Sequence, residues 1–387
     1  MRKILLAASA VLAVSCSTVK LSDSLIESVA NLTAEQCQLL GASLTDQTMP
    51  KTYEDGSLVF SDLEWWCSGF FPGTCWYSYM LSGNQAVREM ALAQTERMLD
   101  VDSYFTHHDI GFQIMCSAGQ AYRNTGDEKY LPSIRRAAEL LASRYTPVTG
   151  LVRSWDNPEY TYPVIIDNMM NLELLTFAAR KFGVPQWKEI ALSHADNTIK
   201  NHFRPDYSTY HVVDYDPQTG EVLRKMTKQG YSDESSWSRG QSWGLYGFTM
   251  MYRETGEKRY LEQAEKIAEY LLPLLAQRAV PAWDFSAPEE MSSQVDASAG
   301  AVMAAALIEL SGLTENADLS ARCFAQAEAT LAEFCTPEYL AAKGEVGGFI
   351  LKHSTGFYLK DSEVDVPLTY ADYYFLEALY RYKNLSR

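Results

Sequence analysis

Residues 296–310 read DASAGAVMAAALIEL, a run of small and apolar residues with almost no polar face. A helix that is apolar all round must be covered on every side. Five further stretches share this small, apolar character: 73–81, 109–122, 167–182, 240–252 and 372–382. Between them run helices of a second kind, at 84–99, 129–145, 185–200, 258–275 and 316–334, with one more near 33–42. In 258–275, Leu261, Ala264, Ile267, Ala268, Leu271 and Leu272 share one face, while Glu262, Glu265, Lys266 and Glu269 occupy the other. That is the 3.6-residue period of a half-exposed helix. Turns such as Thr125-Gly126-Asp127 and Thr255-Gly256-Glu257 separate the two kinds,. Strand-like alternation is scarce. Six buried helices alternating with six exposed ones predict an all-α (α/α)6 toroid, an inner ring of helices inside an outer ring. A helical-repeat solenoid is the rival architecture. The irregular period and the long loops near 146–165 and 203–238 favour the toroid, and long loops in compact domains are usually functional.

The ends of the chain set the domain plan. Arg2 and Lys3 precede an apolar run, and small residues then lead into Cys16. This pattern is a leader too short to span a bilayer, and its ending resembles a bacterial lipobox. The expected organisation is a lipoprotein signal at 1–15, a tether at 16–30 beginning with lipidated Cys16, and one catalytic domain at 31–387. Exported bacterial lipoprotein, on the periplasmic side, is the expected location; plain secretion is the alternative. No other stretch is long and apolar enough to cross a membrane, so a lipid anchor is the one membrane contact expected.

Hydrophobic residues make up 47% of the chain, enough for a large core, and the net charge is −16. That acidity argues against a nucleic-acid surface. It also requires any anionic substrate to be met by basic residues focused in one cleft. Cys37, Cys67, Cys75, Cys116, Cys323 and Cys335 form no CxxC pair, and no HExxH spacing is present,. No catalytic metal and no cofactor are expected.

Unusual residues gather just before the buried helices, which places them at one mouth of the toroid. Trp65-Trp66 precedes the first, His107-His108-Asp109 opens the second, and Trp155 and Ile166-Asp167 precede the third. Trp237-Ser238-Arg239-Gly240-Gln241-Ser242-Trp243 opens the fourth. Carboxylates and aromatic rings converging on one cleft suggest a sugar site, the rings stacking on pyranose faces and the carboxylates serving as acid and base. The plain alternative is that Asp109, Asp167 and Asp296 are helix N-caps and that the tryptophans fill core. Asp109 and Asp167 stand in apolar surroundings on consecutive inner helices. Asp296 has less support and stays with the cap reading.

The motifs HHDIGF at 107–112, IIDNMMNLELL at 165–175, and Gln229 followed by WSRGQSW at 237–243 resemble glycoside hydrolase family 88, the unsaturated glucuronyl hydrolases. WCSGFFPG at 66–73 and VPLTYADYYFLEAL at 366–379 fit the same pattern, and the resemblance covers nearly the whole chain after the tether. It implies that Asp167 is the general acid/base and Asp109 the second active-site carboxylate. It implies substrate contacts at His211, Gln229, Trp237, Arg239 and Trp243, and also at Trp66 and Trp155. The partner it implies is an oligosaccharide ending in a 4,5-unsaturated uronic acid, as polysaccharide lyases produce. The implied chemistry is hydration of the C4=C5 enol ether, not attack at the anomeric carbon. Some members carry a Ser-x-x-Ser-x-Lys pattern near the C-terminus that grips a sulfate; here residues 357–362 read FYLKDS. Competing readings are an unsaturated rhamnogalacturonyl hydrolase acting on pectin fragments and an inverting glycosidase using Asp109 and Asp167 about 6.5–9.5 Å apart. A sugar-binding lipoprotein without catalysis is a third.

Overall fold

In a computed structural model of the chain, residues 21–101 and 107–385 are described. The leader at 1–15 and Cys16 lie outside the described residues.

The apolar run that opened the sequence reading forms a helix over Ala297–Leu313, and every side chain from Ala297 to Ile308 is buried. In chain order the helices are α1 Asp23–Ala42, α2 Phe70–Ser82, α3 Gln85–Glu96, α4 Ile110–Ile114, α5 Gln120–Thr125, α6 Leu131–Ser143 and α7 Asn168–Phe182. There follow α8 Pro185–His202, α9 Ser238–Thr255, α10 Lys258–Leu275, the short α11 Glu289–Ser292, α12 Ala297–Leu313, α13 Ala317–Phe334 and α14 Thr369–Leu385. A π turn, Met115–Gly119, joins α4 to α5, so the two make one bent element,.

The buried elements succeed one another in space as they do in sequence. The π turn packs on α2, α4 on α7, α7 on α9, α9 on α12 and α12 on α14, and α14 returns to α2. Amphipathic helices also pack against these elements: α1 and α3 against α2, α6 against α4, α8 against α7, α10 against α9 and α13 against α12. Helix α10 buries Leu261, Ala264, Ile267, Ala268, Leu271 and Leu272, the face its period marked out. Gly126 and Gly256 end α5 and α9 at φ of 68° and 73°, each N–H donating to a tyrosine carbonyl four residues back. A β-carbon is disfavoured in this left-handed turn, which reverses the chain from a buried helix into an exposed one.

Helix α1 begins earlier than the sequence reading placed it and takes in the C-terminal part of the expected tether at 16–30. Ser22 Oγ accepts from Leu25 N at 3.2 Å, an N-cap,. Ile26, Val29, Ala30, Thr33, Ala34, Cys37 and Leu40 then fall on one buried face.

The long loops also hold more regular structure than their sequences suggested. The strands are β1 Met49–Glu54, β2 Ser57–Ser61, β3 Tyr145–Thr146, β4 Leu151–Val152, β5 Pro163–Ile165, β6 Val212–Tyr215, β7 Val222–Met226, β8 Ser354–Phe357 and β9 Ser362–Val366. All pairings are antiparallel: β1 with β2, β3 with β4, β8 with β9, and a three-stranded sheet β5-β6-β7. The fold is therefore mostly helical with a few small sheets. The three-stranded sheet matters most, because it joins the 146–165 loop to the 203–238 loop next to the start of α7. Ile165 pairs with Val212 and Val212 with Met226, which brings residues 165–167, 211 and 226–229 together.

A second cavity of about 410 Å³ lies among Arg123, Arg253, Arg381, Glu173, Glu377 and several tyrosines. Its charges pair with one another: Arg123 and Arg253 with Glu173, and Arg381 with Glu377 and Glu309. This network ties α5, α7, α9, α12 and α14 together at the end of the helices remote from the segments that precede them.

Candidate active site

The segments that run into the N-termini of α2, α4, α7, α9 and α14 converge on a cavity of about 910 Å³. Asp109, Asp167, Trp66, Trp155, Gln229 and Arg239 line it, six of the nine residues singled out in the sequence. His211, Trp237 and Trp243 stand behind its wall. His211 stacks on Trp237 with ring centroids 4.2 Å apart. Trp243 is 1% exposed and packs between Phe112 and Tyr374, so in this structure it is core beneath the floor of the cavity.

The N-cap alternative separates the three aspartates. Asp296 does cap its helix, accepting from Ser298 N at 3.0 Å. Asp109 and Asp167 occupy the same position on α4 and α7 but make no side-chain cap hydrogen bond. Both line the cavity instead, and Asp167 Oδ2 is buried without a hydrogen-bond partner among the described residues.

The two carboxyl groups are driven in opposite directions. Asp167 is raised from its ordinary 3.8 to about 7, first because it is buried and then because Asp109 is nearby,. Asp109 is also buried, which alone would raise it, but His108 and His107 beside it outweigh that and hold it below the usual range. Its oxygens lie 3.3 Å from His108 Nε2 and 3.3 Å from His107 Nδ1. At neutral pH Asp109 is a carboxylate, while Asp167 is divided between acid and base. Two acids with environments that push them apart are the arrangement from which acid and base roles are built.

Neutral histidines are held in set tautomers around them. Burial pushes His108 down to about 4. Asn171 Oδ1 accepts from Phe112 N at 2.8 Å, so its Nδ2 faces His108 Nδ1 at 3.2 Å and the hydrogen is left on Nε2, which is near Asp109 without a hydrogen bond to it among the described residues,. Gly111 has to be glycine for this contact, because a β-carbon there would come within 2.4 Å of Asn171 Oδ1. His211 is kept well below its ordinary value by burial and then by Arg239 and Lys228. Its Nδ1 accepts from the backbone N–H groups of Lys228 and Gln229, each at 3.2 Å, so its Nε2 carries the hydrogen. That Nε2 stands 3.9 Å from Asp167 Oδ2, too far for a direct hydrogen bond,.

Arg239 is more fully engaged than its sequence context suggested. It is 2% exposed and its Nη1 lies 2.7 Å from Asp296 Oδ2. Nη1 also donates to Thr355 O, and Nη2 donates to Gly356 O at 2.7 Å. Gln229 Nε2 reaches the same Gly356 carbonyl at 2.9 Å. The guanidinium therefore braces the β8–β9 hairpin while presenting one edge to the cavity.

Sequence reasoning missed several lining residues. Lys51 on β1, Glu363 on β9 and Lys228 after β7 come from short strands that carry no motif. Trp65, His107 and Tyr370 stood within motifs already noted but were not singled out. Among the described residues, no group of three or more His, Cys, Asp or Glu could hold a metal ion.

The Glycosyl Hydrolase Family 88 model matches residues 42–374. The chain belongs to glycosyl hydrolase family 88. It is an enzyme, a glycoside hydrolase of the unsaturated glucuronyl type. It is 41% identical over 326 residues to an unsaturated glucuronyl hydrolase of Formosa agariphila, covering 83% of this chain and 80% of that one. A crystal structure of an unsaturated glucuronyl hydrolase specific for heparin superposes with a TM-score of 0.90 at 42% identity, covering 94% of this chain and 98% of that one. A variant of the unsaturated glucuronyl hydrolase of Streptococcus agalactiae complexed with dGlcA-GalNAc6S superposes at 0.81 with 27% identity, covering 94% of this chain and 93% of that one.

Proposed function

We propose that Asp167 is the single proton carrier in hydration of the 4,5-unsaturated uronate at the non-reducing end of a lyase product of the glycosaminoglycan type. The observation that carries this reading is a buried carboxyl poised at about 7 beside a second carboxyl held ionised. As an acid, Asp167 delivers its proton to C4. Positive charge develops at C5 and the ring oxygen, where the Asp109 carboxylate stabilises it. Asp167, now a carboxylate, takes a proton from the water that adds at C5. The hemiketal so formed opens to a C5 ketone, which leaves C1 as a hemiacetal that releases the next sugar. One group performs both transfers, unlike the two-carboxylate scheme of ordinary retaining and inverting glycosidases. The closure of six buried helices upon themselves, α14 returning to α2, supports the (α/α)6 toroid as the scaffold.

The test is the ultraviolet band of the conjugated uronate. Incubation with lyase-made disaccharides should abolish it in step with release of the second sugar. Sugar release with the band intact would favour ordinary hydrolysis, and no change in either would leave a binding protein.

A pH profile follows from the same groups. The active form carries the proton on Asp167, so kcat/KM should fall about tenfold per unit as pH rises beyond about 7,. Asp109 contributes to that high value, so Asp109→Asn should move the falling limb to lower pH. A limb that stays in place would assign the titration to another group.

We also propose that the chain from α1 onward, Asp23 rather than residue 31, forms one catalytic domain, and that Cys16 is a lipidated anchor, on the strength of the basic, apolar leader and the small residues before it, facing the periplasm because Ser17-Thr18-Val19-Lys20 brings no acids after the cysteine,. Cys16→Ser should move the protein from the membrane fraction to the soluble one. A variant that still sediments with membranes would overturn the anchor.

A further inference from the structure

The substrate proposed above is an anion, and the walls of its cavity are crowded with carboxylates: Asp62, Glu64, Asp109, Asp156, Asp167 and Glu363. Three cations answer them among the described lining residues. Arg239 is buried and paired with Asp296. Lys51 stands 3.3 Å from Glu363, which neutralises it. Lys228 lies within 4.0 Å of no carboxylate among the described residues. Its ammonium sits instead 4.4 Å from the centre of the Trp155 ring, another wall of the cavity.

Position distinguishes what Lys228 can hold. The uronate carboxylate is attached to C5, a reacting carbon, so it must lie deep, beside Asp167 and within reach of Arg239 and Gln229. Lys228 is an exposed side chain at the rim. Its backbone N–H is fixed by His211, which sets where the side chain starts, and the Trp155 face gives the ammonium a resting place without neutralising it,. A cation held so meets the part of the substrate that projects from the pocket.

We propose that Lys228, seated on Trp155, is a specificity-determining residue that recognises a sulfate ester or sulfamate on the projecting part of the saccharide. This rests on the hydration reading above and deepens it. A compact oxyanion matches an ammonium with free donors. The surrounding acids would repel the same group if it turned towards Asp62, Glu64 or Glu363, so one orientation is selected.

The experiment compares kcat/KM on two lyase-made unsaturated disaccharides that differ only in sulfation, for the wild type, Lys228→Met and Lys228→Arg. The wild type should prefer the sulfated substrate. Lys228→Met should narrow that ratio about tenfold, mainly through KM, while Lys228→Arg keeps most of it. The preference should also shrink as salt is raised. A wild type without the preference, or a ratio unchanged in Lys228→Met whatever the absolute rates, overturns the proposal. A fall of equal size on both substrates also overturns it, since Lys228 would then serve the common uronate. Failure of the hydration reading is separate: no disaccharide would lose its ultraviolet band with any form of the enzyme.

Discussion

Asp167→Asn should leave a folded protein that hydrates unsaturated disaccharides roughly 10²–10⁴-fold more slowly, the range for removal of a positioned acid–base group. The substitution keeps size and shape and deletes only the titrating proton. It removes no helix cap, because the Asp167 side chain makes none, and Oδ2 has no hydrogen-bond partner to lose among the described residues. Stability should respond in the opposite direction. Below about pH 4 the carboxyl is protonated in both the folded and the unfolded chain. Between about 4 and 7 the folded protein alone retains the proton, so stability declines as pH rises across that window, and above about 7 the loss is complete,. Asp167→Asn removes this decline, so at pH 8 the variant should unfold later than the wild type, by about 1–3 kcal/mol. Single-turnover loss of the ultraviolet band measures the first effect, and denaturant unfolding at pH 5 and pH 8 the second. Retained turnover would remove Asp167 from the mechanism, and a marked loss of stability at pH 8 would make it a structural residue.

Legibility in the sequence followed the range of the interactions involved. Helix α12 was readable because its burial is written into every position, and α10 because its two faces alternate with the helical period. The Asp109 and Asp167 motifs stood out as aspartates in apolar surroundings at the starts of buried helices, and the structure brings both to one cavity. Their apolar context set them apart from Asp296 in the sequence, and the structure agrees: the same residue at the same position caps α12 and leaves α4 and α7 uncapped. What decides is whether the aspartate turns to its own backbone or to the cavity. The strands were missed because two to six residues are too few for a period, and β5, β6 and β7 gain their partners only when loops far apart in sequence meet. Lys51, Lys228 and Glu363 were missed for that reason. The tryptophan of the strongest motif, Trp243, is placed as packing, which a motif reading cannot distinguish from contact. The start of α1 was missed because a serine cap and a modest apolar stripe resemble a tether when read alone.

Arg239→Met should lower stability by about 3–5 kcal/mol, the effect of leaving one member of a buried ion pair without its partner. Arg239 and Asp296 are 2% and 0% exposed, and their contact of 2.7 Å links the start of α9 to the start of α12. The arginine does more than neutralise. Through Thr355 O and Gly356 O it holds the β8–β9 hairpin, while Asp296 Oδ1 accepts from Ser298 N and Thr355 N. Methionine fills much of the space but leaves the buried Asp296 Oδ2 without its partner, and it releases the hairpin whose Phe357 and Glu363 line the cavity. Arg239→Lys should lose less. An ammonium can face Asp296, but it lacks the planar fork that serves the carboxylate and two carbonyls at once. The double variant Arg239→Met with Asp296→Asn should recover part of the loss, because the amide still accepts for the α12 cap and carries no charge. Denaturant unfolding of the two single variants and the double gives the coupling energy directly. If Arg239→Met alone costs less than about 1 kcal/mol, the pair does not hold the hairpin in place. If the single losses simply add in the double variant, the two residues act independently. A coupling of several kcal/mol, with kcat/KM falling mainly through KM in Arg239→Lys, would establish Arg239 as the brace that keeps the hairpin wall against the catalytic carboxyls.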